Sequence, residues 1–138
     1  MTTVDVTERV INARTGQVTE RTIQVEAPPV VPVTAAHVRA EAARRMALIA
    51  QPYSREERET WPQQIAEAEA YMAGDQSDMP MLTVIAMPRG LTVAQMATLV
   101  LTLRAQFKAA TAAILAAQAT LIAMDPIPQD FADAEYWP

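Results

Sequence analysis

Any chemistry in this chain would have to be built around one histidine, His37, or around the glutamates Glu56, Glu57, Glu59, Glu67 and Glu69. A nucleophilic triad needs a serine-type nucleophile and an orienting carboxylate arranged about the imidazole. The sequence around His37 (VTAAHVRAEA) offers no such cluster, so His37 reads as a polar residue in the first turn of a helix. Zinc would need further His, Cys or dense carboxylate ligands, and none is spaced for it. The glutamates could suggest paired carboxylates for acid–base work, but Arg55 and Arg58 are interleaved with them. That mixture fits a solvated helix face carrying ion pairs three and four residues apart. Cysteine is absent, which excludes disulfides and thiolate chemistry, and three glycines leave no material for a phosphate-binding loop. The expectation is a non-enzyme with no cofactor and no metal.

The totals point the same way. The 138 residues suit one domain with extensions. Hydrophobic residues make up 51%, but the aromatics are only two Trp, three Tyr and two Phe, and alanine is abundant. An Ala-rich, aromatic-poor set suits close helix packing better than a large ligand cavity. A net charge of −5 argues against nucleic acid as the main partner. The charge is uneven: Arg39, Arg44, Arg45, Arg55 and Arg58 crowd one stretch, while residues 125–138 hold four acids and no base. Asymmetry of this kind orders protein subunits against one another. The N-terminus lacks the basic and apolar regions of a signal peptide, so synthesis and use in the cytoplasm, or export within a larger assembly, is expected.

These residues imply a mainly α chain in four parts. Residues 1–27 read as a β-hairpin arm, with strands at 3–12 and 17–26 and Gly16 supplying a positive φ in the turn. A lone hairpin leaves both edges unpaired and cannot bury both faces. Val4, Val6, Val10, Ile23 and Val25 are therefore candidate partner-binding residues, acting with strand addition. Pro28, Pro29 and Pro32 stiffen a linker at 28–33.

The helical body is expected over 34–124, its helices joined by Pro-marked turns. Thr34 caps a helix over 35–50, with Val38, Ala42, Met46 and Ile49 on one stripe. Ser54 and Glu57 stand at capping-box spacing before a second helix, in which Trp61, Ile65, Ala68 and Met72 share a face. Pro62 there predicts a kink or a true start near Trp61. A short apolar turn at 80–87 follows. Thr92 and Gln95 then open the longest element, uninterrupted by Gly or Pro to residue 124. Within it Met96, Val100, Leu103, Phe107, Ala110, Ile114, Ala117, Leu121 and Met124 repeat at gaps of four and three, a heptad seam expected to be buried.

The uncharged run Ala109–Met124 raises a membrane span. It is shorter than the roughly 20 residues a bilayer requires, and Thr111, Gln118 and Thr120 interrupt it. Burial against helices, with no membrane partner, is the expectation. The final part, 125–138, is an acidic aromatic tail with three prolines. Its Phe131, Tyr136 and Trp137 suit either docking on the chain's own body or anchoring in a partner's pocket. Both ends are expected to engage partners, and the whole to form a homo-oligomer.

Several segments taken in order resemble small tail-associated proteins of tailed bacteriophages. They are Thr15-Gly16 with Thr19-Glu20-Arg21, Ala40-Glu41 with Arg44-Arg45, Trp61 with Gln64, and Pro80, Leu82, Ala86, Arg89 and Gly90. Their shared order carries the resemblance, which spans roughly residues 12–124. The resemblance implies a non-catalytic virion protein of the tail tip, baseplate or fibre attachment, or a tail-fibre assembly chaperone absent from the mature particle. It implies other phage tail or fibre proteins as partners, a place in the virion tail, and no cofactor. A third reading, a small membrane-active lysis protein, rests on the apolar run alone.

Overall fold

The computed structural model describes residues 2–138, in two units, residues 2–32 and 33–138. The first is an antiparallel hairpin of β1 (Thr3–Ile11) and β2 (Val18–Glu26), in the register Thr3↔Glu26 through Ile11↔Val18. Its turn forms because the Asn12 side chain accepts from the N–H groups of Arg14 and Thr15 at 3.0 and 3.3 Å. Gly16, at φ 70°, then reverses the chain where a Cβ would be strained. Cross-strand pairs Glu8–Arg21 and Arg9–Glu20 reinforce the register.

The second unit is helical: α1 (Ala35–Ala50), α2 (Arg55–Met72), α3 (Pro80–Ala86) and α4 (Val93–Ile122), with short 3-10 turns at Met87–Arg89 and Ala134–Tyr136. The expected caps are present. Ser54 Oγ accepts from Glu57 N–H at 3.0 Å. Thr92 Oγ1 accepts from Gln95 N–H, while Gln95 Oε1 accepts from Thr92 N–H at 2.9 Å. α2 runs through Pro62 without a break. Pro62 has no N–H for the Arg58 carbonyl one turn earlier, and both residues are exposed. Gly74, at φ 88°, closes α2.

α4, ~45 Å long at 1.5 Å per residue, is the spine of this unit. α2 and α3 cover its first half around a core of Ala68, Met79, Leu82, Ala86, Met96, Ala97 and Val100. α1 covers its second half around Val38, Ala42, Ile114, Leu121 and Trp137. α1 and α2 thus lie in tandem along α4, both antiparallel to it. Between the two cores Trp61 packs edge-on against Tyr53 and Phe107, with ring centroids 5.2 and 5.6 Å apart.

The covered stripe of α4 keeps seven of the nine expected seam positions and departs from the seam at two. Met96, Val100, Ile114 and Leu121 are buried as expected, and Phe107, Ala110 and Ala117 are half-buried. Leu103 and Met124 are exposed, at 42% and 37%, and the helix ends at Ile122. Ala97, Arg104, Thr111 and Gln118 stand on the covered side instead. An Arg, a Thr and a Gln share the stripe because α4 is a surface spine only partly enclosed. Arg104 pairs with Glu69 of α2 at the rim. Thr111 Oγ1 is buried and, among the described residues, has no hydrogen-bond partner.

Candidate interaction surfaces

Side chains on alternate residues of a strand face the same way, so the hairpin register sorts its two faces. Val4↔Val25, Val6↔Ile23, Glu8↔Arg21 and Val10↔Thr19 share one face. Thr3↔Glu26, Asp5↔Gln24, Thr7↔Thr22, Arg9↔Glu20 and Ile11↔Val18 share the other. All five valine and isoleucine positions expected to bind a partner therefore fall together on one side. Val4, Val6, Val10 and Val25 are between 41% and 46% exposed, and Ile23 is half-buried. The sheet contains only these two strands among the described residues, so both outer edges present unpaired backbone groups.

A second uncovered surface runs down α4 opposite the cores. Thr98, Thr102, Ala105, Ala109, Ala112, Ala116, Ala119 and Ala123 are exposed and follow one another at gaps of four and three. Leu103 and Leu115, at 42% and 45%, flank it. α4 is also long and apolar enough, by length and composition, to cross a membrane, and only 11% of its most apolar window is buried.

The tail is placed differently. Of the two uses left open for its aromatics, the structure has them dock on the chain's own body. Trp137 is buried among Val38, Ala42, Ile114 and Leu121, and Phe131 and Tyr136 pack half-buried beside it. The Trp137 indole N–H donates to the Phe131 carbonyl at 2.7 Å, and Tyr136 donates to Asp130 at 3.2 Å. Arg45 of α1 donates to the Ala132 carbonyl at 2.9 Å, and its guanidinium carbon lies 5.1 Å from the centre of the Trp137 ring. Partner anchoring by Trp137 is therefore corrected: a side chain that completes a core is not free to fill another protein's pocket. Residues 125–138 belong to the helical unit rather than forming a separate arm.

Glu41 holds Arg45 in this position. It accepts from Arg45 Nε at 2.7 Å and from Arg44 Nε and Nη2 at 2.8 and 2.6 Å. The Arg44 hydrogen bond does most to lower its pKa; desolvation opposes this and Arg45 adds to it, leaving Glu41 at about 2 against an ordinary 4.5. A depressed carboxylate stabilises the fold fully above its unfolded pKa and loses that contribution as pH falls through the folded one. Stability should therefore decline between about pH 4.5 and 2. Glu41→Gln should flatten that part of the profile when urea midpoints are compared across the range. An unchanged slope would mean that the Glu41 contacts add nothing to folding.

The glutamates expected on a solvated face are not all there. Glu67 is only 7% exposed and turns inward. It accepts from the backbone N–H of Leu82 at 2.9 Å and of Met81 at 3.3 Å, and from Gln63 Nε2 at 2.9 Å. It thus caps α3 from another helix, at a terminus whose own N-cap residue, Met79, has no side-chain acceptor. Burial raises its pKa, but the bonds from Leu82, Gln63 and Met81 outweigh that and leave it lowered. Glu59 pairs with Arg55 at 3.0 Å on the exposed face, as expected. His37 has a capping role: its Nδ1 accepts from Thr34 N–H at 3.0 Å, the task Glu or Gln performs in a capping box.

Among the described residues no three His, Cys, Asp or Glu side chains stand together as a metal site. Comparison with protein-family models, curated proteins and solved structures finds no match.

Proposed function

We propose that the chain is a non-catalytic structural protein of a tailed-bacteriophage tail, at the tip, baseplate or fibre attachment, acting through protein–protein contacts. The hairpin carries this reading: a sheet of two nine-residue strands with an exposed valine face and two open edges. Two strands alone are marginal in water, so such an arm acquires its stability from a partner. The resemblance to phage tail-associated proteins supplies the setting. The Ala and Thr face of α4 supports the same reading, because small residues let a second helix approach closely.

The length of α4 favours a second reading, a membrane-active lysis protein. Against it stand Arg104 and Lys108 near the middle of the helix and the packing of α1, α2, α3 and the tail along one side.

Mass spectrometry of purified particles tests the proposal. A tail component is expected at fixed copy number, with incorporation lost on deletion of residues 1–27. Absence from particles, with presence in cells during assembly, would turn the reading to the fibre-assembly chaperone. Recovery in the membrane fraction would turn it to lysis.

A further inference from the structure

We infer that the hairpin pairs with a second copy of itself, β1 against β1 about a two-fold axis, in a register centred on Thr7. The inference deepens the reading of the hairpin as a contact element and rests on it.

Backbone geometry limits the possible registers. Ala27 N–H donates to the Thr2 carbonyl and Asn12 N–H to the Gln17 carbonyl, both at 2.9 Å. In an antiparallel ladder the bonding residues alternate. The even-numbered residues of β1 therefore turn their N–H and C=O toward β2, and Thr3, Asp5, Thr7, Arg9 and Ile11 turn theirs to the open edge. A second β1 can bond there only if odd-numbered residues meet odd-numbered residues.

Charge then selects among these registers. Centring on Glu8, Arg9 or Asp5 sets each against its own copy, and like charges directly opposite are destabilising. Centring on Val6 brings no opposite charges together. Centring on Thr7 sets Asp5 against Arg9 of the second copy, and Arg9 against its Asp5. It also pairs Thr3 with Ile11, so all nine residues of β1 overlap. Each Arg9 would lie between its own Glu20 and the second copy's Asp5, a carboxylate whose neighbour within the hairpin is the neutral Gln24.

The same register sets Val4 opposite Val10 of the second copy. Directly opposite residues share a face, so the two valine faces join on one side of a four-stranded sheet. The β2 edge lacks this complementarity. Centred on Thr22, it pairs Glu20 with Gln24 and Val18 with Glu26. Two-fold pairing through β1 is self-limiting, whereas β1 adding to β2 of the next copy would grow without end.

The test uses the full chain. The native protein should sediment as a dimer. It has no cysteine, so Thr7→Cys introduces one thiol. Residues paired across an antiparallel hydrogen-bonded site have Cα atoms about 5.5 Å apart, within disulfide range. Mild oxidation should link Thr7→Cys into a covalent dimer and leave Thr22→Cys, on the other edge, largely unlinked. Asp5→Arg leaves the ion pairs within each hairpin intact and should weaken self-association on the order of tenfold or more. Adding Arg9→Asp and Glu20→Arg, which reverses every pair together, should restore it.

A monomer, a dimer indifferent to Asp5→Arg, efficient linking through Thr22→Cys, or open-ended polymers would each overturn the pairing. The broader contact reading has its own readout. A chain that fails to self-pair, yet loses incorporation into particles when residues 1–27 are deleted, uses its hairpin on a different protein.

Discussion

Replacing Trp137 with alanine is expected to cost about 3–5 kcal/mol of folding stability, the range for deleting a large aromatic from a packed core. Trp137 is 7% exposed and touches both the first and the last helix of the unit. Its removal opens a void between Val38, Ala42, Ile114 and Leu121, leaves the Phe131 carbonyl without its indole donor, and deprives Arg45 of its ring. Trp137→Phe keeps part of the volume and loses the hydrogen bond, so it should cost clearly less. Urea unfolding followed by circular dichroism measures both. A cost below about 1 kcal/mol, typical of surface substitutions, would show that the tail only rests on the body.

Glu67→Ala is the second large effect, at about 3 kcal/mol, because charge-assisted hydrogen bonds are lost and buried donors are left unpaired. The N–H groups of Met81 and Leu82 would then face a core with no acceptor, and α3 would lose its N-terminal anchor. Glu67→Gln keeps an acceptor oxygen without the charge and should recover part of the loss. The sign of the acid dependence follows from the lowered pKa: the contribution is full above the unfolded value of 4.5 and is lost as pH falls below it. Chemical unfolding near neutral pH gives the magnitude. Amide exchange at Met81 and Leu82 should quicken in Glu67→Ala well beyond the global change if the capping account holds. Uniform quickening would instead make Glu67 a packing residue.

The elements were readable because their signals are local. Valine and threonine alternation with Asn12 and Gly16 in the turn specifies the hairpin, and Ser54, Thr92 and Gln95 mark helix starts through bonds within one turn. The mainly α architecture with an N-terminal hairpin and one long final helix follows from them. Relations between distant segments were not readable. The four-three spacing of α4 admits more than one phase, and choosing the most apolar stripe favoured Leu103 over Arg104. Which phase is covered depends on α1 and α2 arriving in tandem, and Arg104 belongs there because Glu69 meets it. Glu67 looks like its exposed neighbours until α3 folds across it. The tail's acids and prolines suggested an extended arm, whereas Arg45 and a pocket shared by α1 and α4 hold it down.

The division of the helical unit into two cores along one spine has a kinetic consequence. The first core joins segments that follow one another closely, from Ile65 to Leu101, so little loop entropy opposes its closure. The second joins Val38 to Ile114, Leu121 and Trp137, across everything between them. Proteins rich in local contacts fold fast, so α1 is expected to stay unshielded until α4 is in place to receive it. During that interval Val38 and Ala42 lie open to solvent. The expected late step in refolding is the docking of the chain's first helix against its last, with Trp137 sealing the joint.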